Sequence, residues 1–360
     1  MQANEFPTRR RRIAAALAEK NVDALIVSGA ANLRYLTGFT GSNGVLLLSP
    51  GTALLVTDPR YQIQAAQETN CQVKVVRGSL YPALMKAAAR RKFRRLGFEK
   101  DHLRYAVYDQ LQAELALGAS LEPVGGLVEA HRLVKSATEI ELIRRSVETN
   151  SAAFAKVMRR AGEGARECDL AAELDYQMRR LGAQGPAFDT IVAVGARSAL
   201  PHAQPTASAW RRNQLLLIDV GASQDGYASD MTRMAFLGRP GPKVKNLYGA
   251  VLEAQSAAIS AVRPGVRAEQ VDGAARRVLR ARNLDQAFVH STGHGLGLEI
   301  HEPPRIGRWD KTPLAAGMVI TIEPGIYLEG FGGIRIEDTV VVTHTGASVL
   351  TPTSKDLLVL

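Results

Sequence analysis

The sequence predicts two domains: an α/β domain over residues 1–131, then an α+β domain over 132–360 with an internal pseudo-twofold repeat. Three observations predict this. A chain of 360 residues is about twice the usual 100–200 of one domain. Its first third alternates helix-like and strand-like segments. Its remainder repeats a helix–helix–strand pattern at a spacing of 101 residues.

In the first part, "RRRRIAAALAEK" reads as a helix, "DALIVSG" and "GVLLLS" as buried strands, and "ALLVTD" as a further strand. "YPALMKAAARRKF" then reads as a helix and "RRLGFE" as a strand. This alternation argues for an α/β layer. The glycine-containing stretch "EPVGGLVEAHRLVKS" sets the boundary near residues 125–136. Ser136 and Glu139 spell a capping box that opens the long helix "EIELIRRSVETNSAAFAKVM". Beyond it, "GARECDLAAELDYQMRR" from Gly164 aligns with "GVRAEQVDGAARRVLRA" from Gly265, pairing Arg166 with Arg267, Leu170 with Val271 and Met178 with Leu279. "FDTIVAVG" similarly faces "FVHSTGHG". Two similar halves whose sheets meet leave a seam, a natural place for a site.

Composition narrows the function classes. With 46% hydrophobic and 22% charged residues, the chain can build real cores. Its two cysteines, Cys71 and Cys168, cannot form a disulfide framework or a Cys-rich zinc site, which fits a reducing cytosol. The apolar run near the start, Ile13 to Ala18, spans six residues, shorter than the roughly 7–15 of a signal-peptide core. No run approaches the ~18 apolar residues of a membrane span. A cytoplasmic protein without a membrane partner is expected. The net charge of +10 comes largely from helix-like segments such as "AAARRKFRRL" and "AARRVLRARN", with no nucleic-acid motif beside them. Solvated basic helix faces are expected, and no nucleic-acid partner.

The chemistry lies in two hairpins. "LLLIDVGASQDGYASDMTRMAF" reads as two strands joined at Gln224-Asp225-Gly226, and Asp-Gly is a strong hairpin signal. A turn at Asp225-Gly226 sets Asp219 opposite Thr232 and diagonal to Asp230; a turn at Gln224-Asp225 sets the two aspartates opposite each other. Either way the carboxylates share a face. On a buried-looking strand they need a cation or a proton. "MVITIEPGIYLEGFGGIRIEDTVVV" repeats the arrangement around a turn at "GFGG". Arg335 and Glu337 point one way and Ile334 and Ile336 the other; if Ile326–Leu328 pairs with Ile334–Ile336, Glu323 and Glu337 can approach on one face. Between the hairpins, "HSTGHGLGLEIHEPP" concentrates three of the chain's seven histidines. Such a set is oxygen-rich and carries up to four negative charges, which two divalent ions would balance. Oxygen donors favour Mn²⁺ or Mg²⁺, and a histidine moves the choice toward Mn²⁺, Co²⁺ or Zn²⁺. Paired ions can share a water and hold it as hydroxide for hydrolysis.

"DVGASQDGYASDMTR", "HSTGHGLGLEIHE", "ITIEPGIY" and "GGIRIEDTVVVT" resemble, in order and spacing, the pita-bread metallopeptidases. They look most like the proline-specific branch, the Xaa-Pro aminopeptidases and Xaa-Pro dipeptidases (prolidases). The resemblance covers the whole second part and agrees with that fold's pseudo-twofold halves. "NLRYLTGFTGSNG" and "TDPRY" resemble the family's creatinase-like N-terminal domain.

Carried over residue by residue, the resemblance implies a dinuclear centre, Mn²⁺ first and Co²⁺ or Zn²⁺ next, held by Asp219, Asp230, His294, Glu323 and Glu337. His290 would line the substrate pocket; "STG" and the further glycines after it are poor helix material, which argues against a zinc helix there. His301 would contact the substrate carbonyl and His202 would stabilise the reacting group. Glu323 would also shuttle a proton to the leaving nitrogen, and Arg335 and Thr232 would stand behind the ligands. The implied activity is hydrolysis of the bond before proline by attack of a metal-bridging hydroxide, in a homo-oligomer, dimer or larger.

"TDPRY" and "NLRYLTGF" lean toward an Xaa-Pro aminopeptidase acting on peptides with proline second. The alternative is an Xaa-Pro dipeptidase, which must hold the proline carboxylate; Arg34, Arg60 and Arg305 are loop candidates for that clamp. A non-peptidase hydrolase or a non-catalytic binding protein of the same fold would be expected to lose ligands, and all five stand. "GHGLG" lacks the spacing of a dinucleotide fingerprint, and no phosphate loop is present.

Overall fold

The structure, a computed structural model, describes residues 5–360. The chain divides into two compact units, Met1–Arg132 and Leu133–Leu360. Among the described residues, no helix is long and apolar enough to cross a membrane.

The first unit contains α1 (Glu5–Ala16), β1 (Ala24–Val27), α2 (Ala30–Thr37), β2 (Gly44–Ser49), β3 (Thr52–Thr57), α3 (Gln62–Glu68) and β4 (Gln72–Val75). It continues through α4 (Tyr81–Arg90), β5 (Arg95–Glu99), α5 (Tyr105–Ala113), β6 (Ser120–Val124) and α6 (Leu127–Arg132). The six strands form one mixed sheet in the order β4-β3-β2-β1-β5-β6. Leu84, Met85, Ala87 and Ala88 of α4 are buried. They share a core with Ile26, Leu47 and Val56, so helical and strand periodicities converge on one layer. Helix α2 has no capping side chain of its own. The remote carboxylate of Glu99 instead accepts from the Ser28 and Gly29 N–H groups, 2.7 Å each, and from Asn32 Nδ2 at 2.7 Å.

The second unit opens with α7 (Ala137–Met158), whose Ser136/Glu139 capping box is formed. Next come α8 (Glu167–Arg180), β7 (Gly185–Pro186), β8 (Ile191–Val194), β9 (Leu215–Val220), β10 (Ala222–Gln224), β11 (Tyr227–Ala228) and β12 (Met231–Phe236). The second half holds α9 (Pro242–Ala261), α10 (Ala268–Ala281), β13 (Gly293–Gly295), β14 (Glu302–Ile306), β15 (Val319–Ile322), β16 (Gly325–Leu328) and β17 (Gly332–Arg335). It ends with β18 (Asp338–Val342), β19 (Ala347–Val349) and β20 (Leu358–Val359). The main sheets are β20-β12-β9-β8 and β14-β13-β15-β18-β19.

The repeat is a physical one. Helices α8 and α10 each span 14 residues. Each follows a left-handed glycine, Gly164 at φ 87 and Gly265 at φ 84, a conformation open to glycine without strain. Gly164 N–H donates to the Trp210 carbonyl and Gly265 N–H to that of Leu314, both at 2.8 Å. Strand β9 is buried on both faces: Leu215 and Leu217 enter a core with α9 and α10, while Leu216 and Ile218 enter one with α7 and α8. That explains its unbroken apolar run.

Candidate metal centre

Strand β9 pairs with β12 so that Asp219 lies opposite Thr232, and β10 pairs with β11 in the same register. The turn is therefore at Asp225-Gly226, whose φ values of 52 and 77 suit a tight hairpin following the strand twist. Asp230 consequently lies diagonal to Asp219 on their shared face.

The second hairpin keeps one register throughout. Ile322 pairs with Asp338 and Thr321 with Thr339; beyond the break, Gly325 pairs with Arg335 and Ile326 with Ile334. Continued across Glu323-Pro324, this register sets Glu323 opposite Glu337. Two expectations need correction. Ile336 lies outside the ladder, and Gly332 and Gly333 belong to β17 rather than to the turn. A side chain at either glycine would press on the Gly195–Ser198 segment, so close backbone approach, not chain reversal, requires them.

The strand ends converge. One ligand atom from each of Asp230, His294 and Glu337 lies within 4.8 Å of the others. His294 Nε2 stands 3.6 Å from Asp230 Oδ2 and 3.5 Å from Glu323 Oε1. The Nδ1–H of His294 is engaged by the Gly295 carbonyl at 3.0 Å, which leaves the Nε2 lone pair facing the carboxylates. Arg335 Nη2 draws Asp219 Oδ2 to 2.6 Å. The other oxygen, Asp219 Oδ1, is buried with no hydrogen-bond partner. Arg335 Nε donates to Thr232 Oγ1 at 3.0 Å, and Thr232 donates to Glu337 Oε2 at 2.7 Å. One guanidinium thus fixes a carboxylate from each hairpin.

Electrostatics mark the cluster as short of positive charge. Burial, then the neighbouring Glu337 and Asp219, hold Asp230 well above the usual carboxylate range. Burial and the charges of Glu323 and Asp219 do the same to Glu337. Burial pushes Glu323 up to about 7, with Arg335 opposing and Asp219 adding. The imidazole of His294 is lowered by burial, which keeps it neutral and able to donate a lone pair.

The other histidines divide. His301 is exposed and packs edge-on against His294 at 4.4 Å between ring centres. His202 is exposed as well and lies within electrostatic reach of His290, His301 and Glu323. Both of His290's ring nitrogens are occupied: Nδ1 by the Ser291 carbonyl at 2.7 Å and Nε2 by Tyr327 Oη at 2.9 Å. Its ring can form a wall but offers no hydrogen bond to a ligand. Two contributors were not singled out from the sequence. Tyr327 Oη accepts from Arg335 Nη1 at 2.7 Å, and Thr321 Oγ1 donates to Glu323 Oε1 at 3.3 Å. Strand alternation carries the signal for both, since Thr321 is two residues from Glu323 and Tyr327 sits diagonal to Arg335.

The candidate clamp arginines also fall differently: none of the three is in a loop. Arg34 is in α2. Arg60 is in a 3₁₀ turn and paired with Asp58 at 2.8 Å. Arg305 is in β14, directly opposite His294, and is exposed.

A pita-bread fold with four carboxylates and one imidazole converging on its seam is the architecture of a metal-dependent hydrolase. The chain belongs to metallopeptidase family M24, whose pattern matches residues 141–344, and the creatinase/prolidase N-terminal domain matches residues 9–134. An Xaa-Pro dipeptidase from Pyrococcus furiosus is 36% identical over 340 residues, covering 94% of this chain and 96% of that one. The structure of an Xaa-Pro dipeptidase from Bacillus anthracis superposes with a TM-score of 0.96 at 35% identity, covering 99% and 100% of the two chains. That of an X-Pro aminopeptidase from Thermotoga maritima superposes at 0.91 and 36% identity, covering 98% and 100%.

Proposed function

We propose that this protein is an Xaa-Pro dipeptidase working through two divalent ions, Mn²⁺ first and Co²⁺ or Zn²⁺ next. The observation that carries the reading is the convergence of Asp230, His294 and Glu337, with Glu323 3.5 Å from the same imidazole and Asp219, held by Arg335, keeping one buried oxygen, Oδ1, without a hydrogen-bond partner. The set fits a pair of hard cations: carboxylates cluster against their own repulsion, and a neutral imidazole presents a lone pair to them. Bound there, the ions would supply a water of lowered pKa and a Lewis acid at the scissile carbonyl.

The side chains supply the rest. Arg335 and Thr232 orient Asp219 and Glu337, so the donors are held before substrate arrives. Glu323, half-buried and with its proton affinity raised toward neutrality, is the group to carry a proton to the departing proline nitrogen. That nitrogen belongs to a tertiary amide without N–H, so its departure depends on such a donor. His301 and His202 stand at the exposed side of the cluster, where an imidazole N–H can stabilise the charge developing on the carbonyl oxygen.

The dipeptidase reading, against the aminopeptidase that the sequence favours, draws on two supports. The relatives named as Xaa-Pro dipeptidases match nearly the full chain. Arg305, as cross-strand partner of His294, projects from the same face with no ion pair to its guanidinium among the described residues. It is available to hold the proline carboxylate of a dipeptide. The aminopeptidase reading keeps one support, the likeness to the Thermotoga maritima protein. Comparing kcat/KM for Ala-Pro and Ala-Pro-Ala tests the choice. The dipeptide should be cleaved about 10–100-fold better, the range one charge-assisted hydrogen bond can supply; equal or better cleavage of the tripeptide would return the assignment to aminopeptidase.

A further inference from the structure

Helix α10 carries a buried acid–base pair that the hydrolytic mechanism does not use. Arg276 and Asp272 are 7% and 1% exposed and joined through Nε and Oδ2 at 2.6 Å. Among the described residues, every other side-chain hydrogen bond of the pair ends on the segment 288–292. Arg276 Nη1 donates to the Phe288 carbonyl at 3.1 Å and Nη2 to that of His290 at 2.5 Å. Asp272 Oδ1 accepts from Thr292 N–H at 3.2 Å and from Thr292 Oγ1 at 2.8 Å. The guanidinium also lies 4.2 Å over the Phe288 ring, which meets the His290 ring edge-on at 5.1 Å. Alternate residues of the segment are therefore held from one side of the chain.

Packing alone does not demand this pair. A buried ion pair is often matched or bettered in stability by apolar residues. The equivalent positions of α8, at the repeat spacing, are Ala171 and Asp175, so the first half folds without it. It occurs in the half whose loop bears His290 and leads to His294. Its target is a histidine whose ring has one hydrogen-bonding arrangement: Nδ1–H donates to Ser291 O, so Nε2 accepts from Tyr327 Oη, whose oxygen in turn accepts from Arg335.

We propose that Asp272 and Arg276 are positioning residues, locking the main chain at 288–292 so that His290 keeps one tautomer and one ring orientation as the wall of the substrate pocket. The substrate part of this proposal rests on the dipeptidase reading; the tautomer part does not.

The test uses Arg276→Met, with ¹⁵N-histidine spectra of the enzyme loaded with diamagnetic Zn²⁺ and steady-state kinetics on Ala-Pro with the Mn²⁺-loaded enzyme. The wild-type spectrum should show His290 as a single Nδ1–H tautomer, and the variant should show it averaged between tautomers. KM should rise about tenfold while kcat stays within about threefold, since a pocket wall is displaced and not a reacting group. A purely structural pair would lower the melting temperature and leave both readouts of the folded enzyme unchanged. An unaltered His290 signal would overturn the proposal, whatever happens to KM. An averaged signal with wild-type KM would uphold the lock and overturn the use of His290 as a wall for this substrate. If Arg276→Met does not fold, Arg276→Lys and Thr292→Val each remove part of the lock and are read the same way.

Discussion

Arg335 touches Asp219, Thr232 and Tyr327 with three different nitrogens, and through Thr232 it reaches Glu337. A lysine at this position keeps the charge but not the fork. Arg335→Lys should lower kcat by about 100-fold, the cost of one or two lost charge-assisted bonds, and should weaken Mn²⁺ uptake; steady-state kinetics beside metal analysis of the dialysed variant checks both. Arg305→Leu should behave differently, raising KM for Xaa-Pro about 10–100-fold while kcat and metal content hold. Unchanged KM would remove Arg305 from the site. At this scale the four carboxylates were legible because acids spaced across two hairpins leave a charge problem visible in the letters alone, whereas His294 was singled out among three histidines only by the family resemblance. Tyr327 was not, because an aromatic on a strand reads as ordinary packing. Arg305 could not be chosen from three arginines until the pairing of its strand with the His294 strand was known.

Among the elements, β13 shows how glycine makes room for the histidine. A Cβ on Gly293 would overlap the Thr321 carbonyl oxygen, and one on Gly295 would overlap that of Pro303. Neighbouring strands therefore approach His294 more closely than any larger residue permits. Gly293→Ala should cost about 1–3 kcal/mol, as forced overpacking does, and should shift His294 away from Asp230 and Glu323. Urea unfolding and Mn²⁺ titration would check this; native stability together with native metal affinity would contradict it. Hairpin register was readable to one residue at Asp225-Gly226, where turn chemistry is restrictive. It was not readable at "GFGG", because Gly332 and Gly333 serve close packing against Ser198 instead of the turn. Helix α2 was missed for a related reason: its anchor is Glu99, far along the chain, and local signals cannot show it.

For the molecule as a whole, the repeat at 101 residues announced two halves, and α8 and α10 match it in length and in their preceding glycines. How those halves share charge has a consequence for stability. Asp230, Glu323 and Glu337 bind protons more tightly in the folded chain than carboxylates ordinarily do. Between 4.5 and about 7 for Glu323, the native state holds protons that the unfolded state has released. The site's contribution to unfolding free energy therefore falls as pH rises through that window. Chelator-treated protein should melt higher at pH 5.5 than at pH 7.5, and Asp230→Asn should flatten the difference; a wild-type melting temperature that rises with pH and is unaffected by Asp230→Asn would contradict this. Mn²⁺ in excess should raise stability at pH 7.5 by about 4 kcal/mol per bound ion at 1,000 times its Kd.

The most direct measurement is a titration of chelated, dialysed enzyme with Mn²⁺, following Ala-Pro hydrolysis and bound metal in the same samples. Activity should be absent at the start, rise with metal and level off at about two ions per chain, as a paired-ion site requires. Full hydrolysis with only trace metal bound would contradict a metal-dependent dipeptidase.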